Sequence, residues 1–164
     1  MSNYKITGVD KYCSHIDINI AVVVSSWYKS ICDNLLEGCS KEIEKNGILN
    51  YTILRVCGAI EIPIVIQSIT KKHDAIVALG VVVKGLTPHF DYVCKSVMQG
   101  LMNISLNTFT PVSNGILTVH NELQAAERAN LLYSSENKGT QAAIAALSTV
   151  YTLRSLNYGK SVYT

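Results

Sequence analysis

Four short runs of apolar, largely β-branched residues, at 16–24, 51–56, 74–83 and 111–118, alternate with longer stretches whose apolar residues recur at helical spacing. That alternation constrains the fold more than any other feature of the chain. Strands that read as nearly continuous apolar runs are covered on both faces, and strands separated by helices run parallel, because a parallel pair needs a long crossover. The expectation is one α/β domain over residues 1–164, a three-layer α/β/α sandwich on a mainly parallel four-stranded sheet. Local signals predict the helices. Ser25-Ser26 offers N-cap chemistry for a helix over 28–46 that Asn46-Gly47 closes, and Gly58 through Pro63 forms a sharp turn into a helix ending near Lys72. Thr87 as N-cap with Pro88 at the first helical position opens a third helix to about Asn107; a short one spans 122–130 and an alanine-rich one spans 138–156. Residues 1–15 fall outside the alternation and are expected to form an arm, a strand that pairs with a neighbouring subunit, while 157–164 form a loose tail.

Composition narrows the function classes. With 48% hydrophobic and only 16% charged residues, the surface is expected to include partner-facing apolar area, which favours an oligomer. A net charge of +2 from 14 basic and 12 acidic residues, without any basic run beyond Lys71-Lys72, argues against a nucleic-acid partner or an anionic membrane surface. The longest apolar stretches, 20–24 and 75–83, are far shorter than a membrane span. The first thirty residues carry His15, Asp10 and Asp17 and no secretory pattern, so a cytoplasmic location is expected. Cys13, Cys32, Cys39, Cys57 and Cys94 are odd in number and never spaced as CxxC, and read as reduced, mostly buried small hydrophobes.

In a doubly wound sheet, ligands bind beyond the carboxyl ends of the strands, so the residues just after each apolar run are the candidates. Trp27, the sole tryptophan, comes after the first; Gly58-Ala59-Ile60-Glu61 after the second; Gly85-Leu86-Thr87-Pro88-His89 after the third. His89 at a helix mouth sits beside a positive helix end that disfavours its imidazolium, leaving a ring suited to proton transfer or one that merely caps or packs. Thr87 and the free N–H groups of that helix start make an anion nest needing one added cation, for which Arg128 is the candidate if it is more than a solvated surface residue. Trp27 either stacks on a flat heterocycle or packs in the core or at an interface. Glu61 either accepts hydroxyl hydrogen bonds or caps the next helix. No Walker A loop, dinucleotide GxGxxG or HExxH segment is present, so the expectation is chemistry with no cofactor and no metal.

Taken together, IAVVVSSWY (20–28), RVCGAIEIP (55–63), DAIVALGVVVKGLTPHFDYV (74–93), GILT (115–118), QAAERA (124–129) and NKGTQAA (137–143) resemble the lumazine synthase family from about residue 20 to residue 146. The third segment is the most diagnostic. The resemblance implies a flavodoxin-like three-layer fold assembled into a homopentamer or multiples of it, with each pocket between neighbours, and names riboflavin synthase as a candidate partner. It implies condensation of 5-amino-6-(D-ribitylamino)uracil with 3,4-dihydroxy-2-butanone 4-phosphate to 6,7-dimethyl-8-ribityllumazine. In its terms Trp27 stacks on the pyrimidine, and Ala59, Ile60 and Glu61 hold the ribityl chain. The backbone of Val81, Val82 and Val83 binds the uracil edge, and Leu86 and Thr87 cradle the phosphate. His89 moves protons, Arg128 reaches the phosphate across a subunit boundary, and Lys138 adds a second cation nearby.

The chain departs from the family pattern at several positions. Trp27-Tyr28 stands where Phe-Asn is common, Asn114 where a Phe forms an apolar wall, Asn130 where Gly is common after Arg128, and Gln141 where Glu is usual. On these residues the expectation is altered affinity and the loss of any salt bridge at Gln141. They also sustain a competing reading, the same assembly retained as a scaffold or as a flavin- or lumazine-binding module. A generic FMN carrier is the second rival.

Overall fold

A computed structural model of the chain describes residues 18–130 and 136–158. Its elements are the strands β1 (Ile20–Ser25), β2 (Thr52–Val56), β3 (Ala75–Val83) and β4 (Val112–Val119), and the helices α1 (Lys29–Lys45), α2 (Ile62–Ile69), α3 (His89–Thr108), α4 (Glu122–Arg128) and α5 (Lys138–Tyr158). The strands form one wholly parallel sheet in the order β2-β1-β3-β4. Every helix is a crossover or flanks the sheet, so the expected α/β/α sandwich is what the chain adopts.

The period-2 alternation of the strands divides the core in two. Ile20, Val22 and Val24 of β1 and Val77 and Leu79 of β3 face α1 and α5, where Leu35, Cys39, Ala143 and Leu147 meet them. Ala21, Val23, Ile76 and Ala78 point the other way, against Ile62 and Ile66 of α2 and Val97 and Leu101 of α3. Each fully buried isoleucine or leucine in these layers contributes about 1.5–3 kcal/mol. Because both faces are covered, β1 is buried at all six positions, which is why it reads as an unbroken apolar run.

The α1–α5 crossing explains two glycines. A Cβ on Gly139 would overlap the Leu35 carbonyl, and one on Gly38 would overlap the Asn137 amide, so the helices approach closely only because both positions lack a side chain. Asn137 is itself fully buried. Its Oδ1 accepts the Thr140 N–H at 3.1 Å as the N-cap of α5, while its Nδ2 donates to Ala129 O at 2.9 Å and Asn34 O at 3.2 Å. One side chain therefore ties the end of α4, the middle of α1 and the start of α5.

Several expected boundaries move. β1 begins at Ile20 and not at 16, and it takes in Ser25, which is buried in the strand and caps nothing. The residue preceding α1 is Tyr28, in the left-handed region at φ 54 and with no side-chain cap. Its ring packs against the core formed with α1 and α5, and that packing offsets a conformation unfavourable for a residue with a Cβ. α1 does end as expected, with Gly47 at φ 82 and the Ile48 N–H reaching back to Ile43 O at 3.3 Å. α2 stops at Ile69, and Thr70–Lys72 is a single 3-10 turn. Thr87 is not the cap of α3: Pro88 holds that place, with no side-chain cap hydrogen bond, and His89 is the first helical residue. α4 ends at Arg128, short of Asn130, while α5 continues to Tyr158, past the point where the tail was expected to start. The proposed N-terminal arm and the remainder of the tail lie outside the described residues. Among the described residues no helix is long and apolar enough to cross a membrane.

Candidate active site

The strand order reverses between β1 and β3, which in an open α/β sheet is where the crevice beyond the carboxyl ends of the strands lies. The β1–β3 register runs only to Val24 opposite Leu79, whereas β3 pairs with β4 to the end, Val83 opposite Val119. Past Leu79, then, the register pairs β3 with β4 alone, and the backbone of Val81, Val82 and Val83 borders the crevice. That is the condition under which main-chain groups can read the edge of a flat ring.

The turns after β1 and β2 are tied together by backbone hydrogen bonds. Ser26 N donates to Val56 O at 2.9 Å, and Trp27 N donates to Cys57 O at 3.2 Å. The Trp27 indole lies against Gly58, where a Cβ would sit 3.7 Å from Cδ2, and its side chain remains 60% exposed. The core-packing alternative for Trp27 is thereby removed: a large apolar ring is held in the open beside the strand ends. Glu61 resolves differently, because its Oε2 accepts the Gly58 N–H at 2.8 Å and closes the 3-10 turn Ala59–Glu61. The carboxylate thus closes the 3-10 turn and gives α2, the next α-helix, no side-chain cap, with one of its oxygens committed to Gly58. Ala59 is buried and Ile60 is exposed at the rim.

Leu86, Thr87 and His89 are all exposed on the loop entering α3. The first N–H groups of any α-helix have no intrahelical acceptor, and here no side chain caps them. The Asp91 N–H donates to Pro88 O at 3.0 Å, which leaves the His89 and Phe90 N–H groups as the donors the helix start offers to the anion nest expected at Thr87. Asp91 in the first turn favours the helix end electrostatically, in the manner usual for an acidic residue there.

Three of the expected site residues stand elsewhere. Asn114, Arg128 and Lys138 line an open cleft of about 200 Å³ along β4, together with Gly115, Ile116, Leu117 and Thr118. None of Trp27, Ala59–Glu61 or 86–89 lines it. β4 is the edge strand next to β3, so the cleft lies along the sheet's edge while the crevice lies at the β1–β3 boundary. Within one chain the candidate residues thus form two groups.

Departures from the family pattern acquire physical roles in this setting. Asn114 is not a loose polar group on the wall: its Nδ2 donates to Met98 Sδ at 2.8 Å, and its Oδ1 accepts the Ile116 N–H at 3.0 Å on the strand edge. Lys138 Nζ donates to Gln141 Oε1 at 2.6 Å, so the contact at position 141 is kept as a hydrogen bond to a neutral partner. Arg128 Nη1 donates to Gln124 O at 3.0 Å, which folds the guanidinium back along α4. The expectation of mostly buried cysteines holds for Cys32 and Cys39 but not for Cys57, which is exposed, or Cys94, which is half-buried. Asn137 received no role from the sequence motifs, although the signal was there: an Asn just before an alanine-rich helix is among the commonest N-caps. Among the described residues, no group of three or more His, Cys, Asp or Glu side chains is placed to hold a metal ion.

Comparison with known proteins agrees with this architecture. A family model described as 6,7-dimethyl-8-ribityllumazine synthase matches residues 17–154. The 6,7-dimethyl-8-ribityllumazine synthase of Mycolicibacterium gilvum (strain PYR-GCK) is 56% identical over 140 residues, which is 85% of this chain and 88% of that protein. Proteins of the same name from Mycobacterium ulcerans (strain Agy99) and Mycobacterium leprae (strain Br4923) are each 55% identical over 139 residues, 85% of this chain and 87% of theirs. With its sheet order, its strand-end crevice and a match over most of its length, the chain belongs to the 6,7-dimethyl-8-ribityllumazine synthase family.

Proposed function

We propose that this chain condenses 5-amino-6-(D-ribitylamino)uracil with 3,4-dihydroxy-2-butanone 4-phosphate, releasing 6,7-dimethyl-8-ribityllumazine, phosphate and water, at sites completed between neighbouring copies. One observation supports the reading: the candidate residues fall in two places, Trp27, Val81–Val83, Thr87 and His89 near the strand ends and Arg128 and Lys138 in a cleft along β4, which this reading takes as two half-sites. A heterologous contact that sets the cleft of one copy against the crevice of the next joins them, and repetition of that contact closes a ring. A homopentamer, or a multiple of it, is the assembly this reading takes.

The surface supports such a contact. Met102 and Leu106, four residues apart on one side of α3, are 59% and 65% exposed, Phe109 just past the helix end is 86% exposed, and Ile64 of α2 is exposed as well. Apolar area of this kind is a partner-facing surface in an otherwise well-buried domain.

In the joined site Trp27 stacks on the pyrimidine, the Val81–Val83 backbone fixes its edge, and the Ala59–Glu61 turn receives the ribityl chain. The phosphate lies at the start of α3, between Leu86, Thr87 and the uncapped N–H groups, and receives Arg128 and Lys138 from the neighbour. The 5-amino group attacks the ketone, phosphate leaves from the resulting imine, and the enol tautomerises before ring closure expels water. His89 moves the protons, while the cations and helix start stabilise the charge gathering on the departing phosphate. Holding the two substrates together supplies much of the acceleration. A cytoplasmic location belongs to the same reading, since the free thiols Cys32, Cys39, Cys57 and Cys94 stay reduced there.

The test is a direct assay with both substrates, following the fluorescent lumazine. Formation faster than the uncatalysed reaction is expected. A protein that assembles but adds no rate would be a scaffold or binding module, and the reading would fall.

A further inference from the structure

The start of α5 is electrostatically out of keeping with its helix. Lys138 occupies the first position, at the positive end of the helix, and the first turn holds no acidic residue. Arg128 shares its cleft, and the other lining residues, Asn114, Gly115, Ile116, Leu117 and Thr118, are neutral. Two cations and a helix end of the same sign are thus gathered on one space of about 200 Å³. Stability alone favours a carboxylate among them. Instead each cation is held by a neutral oxygen: Lys138 Nζ by Gln141 Oε1 at 2.6 Å, and Arg128 Nη1 by Gln124 O at 3.0 Å. Their separation is fixed through Asn137, which caps α5 and binds Ala129 O at the end of α4.

We propose that Gln141 is a positioning residue that aims the Lys138 ammonium while leaving its charge intact, so that the cleft selects a phosphate-type dianion over singly charged groups. The proposal rests on the reading of this cleft as the phosphate half-site, and it names the residue that sets the half-site's charge. An amide is suited to the role because it accepts an ammonium hydrogen bond without neutralising it. A carboxylate in the same place would hold Lys138 more tightly and would itself compete with the incoming anion.

Gln141→Glu tests this with little change of shape. Inorganic phosphate titrated calorimetrically into the assembled protein is expected to bind about tenfold more weakly to the variant, the effect of one added charge a few ångströms away in a partly solvated site. The KM for the phosphate substrate rises by a similar factor, while the KM for the pyrimidine and the assembly size stay unchanged. Gln141→Met, which keeps length and neutrality but removes the acceptor, is expected to raise that KM about threefold, less than the charged variant does. Phosphate affinity unchanged in Gln141→Glu overturns the proposal, as does a Gln141→Met effect equal to or greater than that of Gln141→Glu. The two readings fail separately. If the parent adds no rate to the condensation, the proposed reaction falls, and the phosphate titrations still judge Gln141. If Lys138→Ala binds phosphate like the parent, the role of Gln141 falls even when turnover is normal.

Discussion

Because His89 and Arg128 belong to different half-sites, two inactive variants should rescue one another. His89→Ala removes the proton-transfer group and is expected to lower turnover on the order of 100-fold, the lower end for a general acid or base where positioning supplies much of the rate. Arg128→Ala removes a charge-assisted phosphate contact and is expected to raise the KM of the phosphate substrate most of all. Mix the two chains in equal amounts, unfold and reassemble them, and each site draws its crevice from one copy and its cleft from the next. Half of the crevices then carry His89 and half of the clefts carry Arg128, so about a quarter of the sites are intact under random assembly. The fluorescent lumazine assay at a low concentration of the phosphate substrate should show about 25% of parental activity, far above either variant alone. If both residues served the same copy's site, no mixed assembly would contain an intact site. Activity no greater than the average of the two variants, from a mixture shown by mass spectrometry to have exchanged chains, refutes the two-half-site reasoning.

Other expectations concern the scaffold and surface. Asn137→Ala removes an N-cap and the side-chain donor to the buried Ala129 carbonyl and to the half-buried Asn34 carbonyl, so a loss of about 2–3 kcal/mol is expected in urea denaturation; a loss under about 0.5 kcal/mol contradicts its role as a tie. Leu106→Glu places a charge in the apolar stripe of α3, and light scattering should report a mass about fivefold lower if the stripe is an interface of a five-membered ring; an unchanged mass counts against that use. Burial pushes the Cys39 thiol up to about 12, so at about pH 8 iodoacetamide should label exposed Cys57 while Cys39 stays protected until the chain unfolds. Asp33 has its carboxyl held below the ordinary range by hydrogen bonds from Lys29 and Arg55. A depressed carboxyl contributes stability that is full above about pH 4 and fades as pH falls through the folded value. Since these groups are exposed, Asp33→Asn should cost less than about 1 kcal/mol at neutral pH and nothing at low pH, as urea midpoints would show.

The sheet was legible in the sequence because its central strands β1 and β3, buried on both faces for most of their length, are written as apolar runs, and because Pro63 and Gly47 mark a helix entry and exit by conformations that few other residues supply. The starts of α1 and α3 were not. Ser25 has good capping chemistry, yet the strand retains it, where its Oγ lies 3.0 Å from where a Cβ on Gly80 would be. Tyr28 takes the cap position because its ring packs on a core assembled from distant segments. Single residues of the site were visible through local motifs at strand ends, and the resemblance supplied their roles. Their division into two groups was not visible from spacing alone. It depends on β4 being an edge strand and on Asn137 bonding to Asn34, 103 residues away. The resemblance put Lys138 near Arg128 and marked Gln141 as a departure, but the neutral hydrogen bond between Lys138 and Gln141 is seen only in the fold.

The most direct test of the shared site is an experimental structure of the assembled protein with inorganic phosphate bound. One anion per chain is expected, seated on Thr87 and the first N–H groups of α3 in one copy and reached by the Arg128 guanidinium of the adjacent copy, with His89 beside it. An assembly in which Arg128 lies beyond contact distance of every copy's Thr87 and His89 would contradict the shared site.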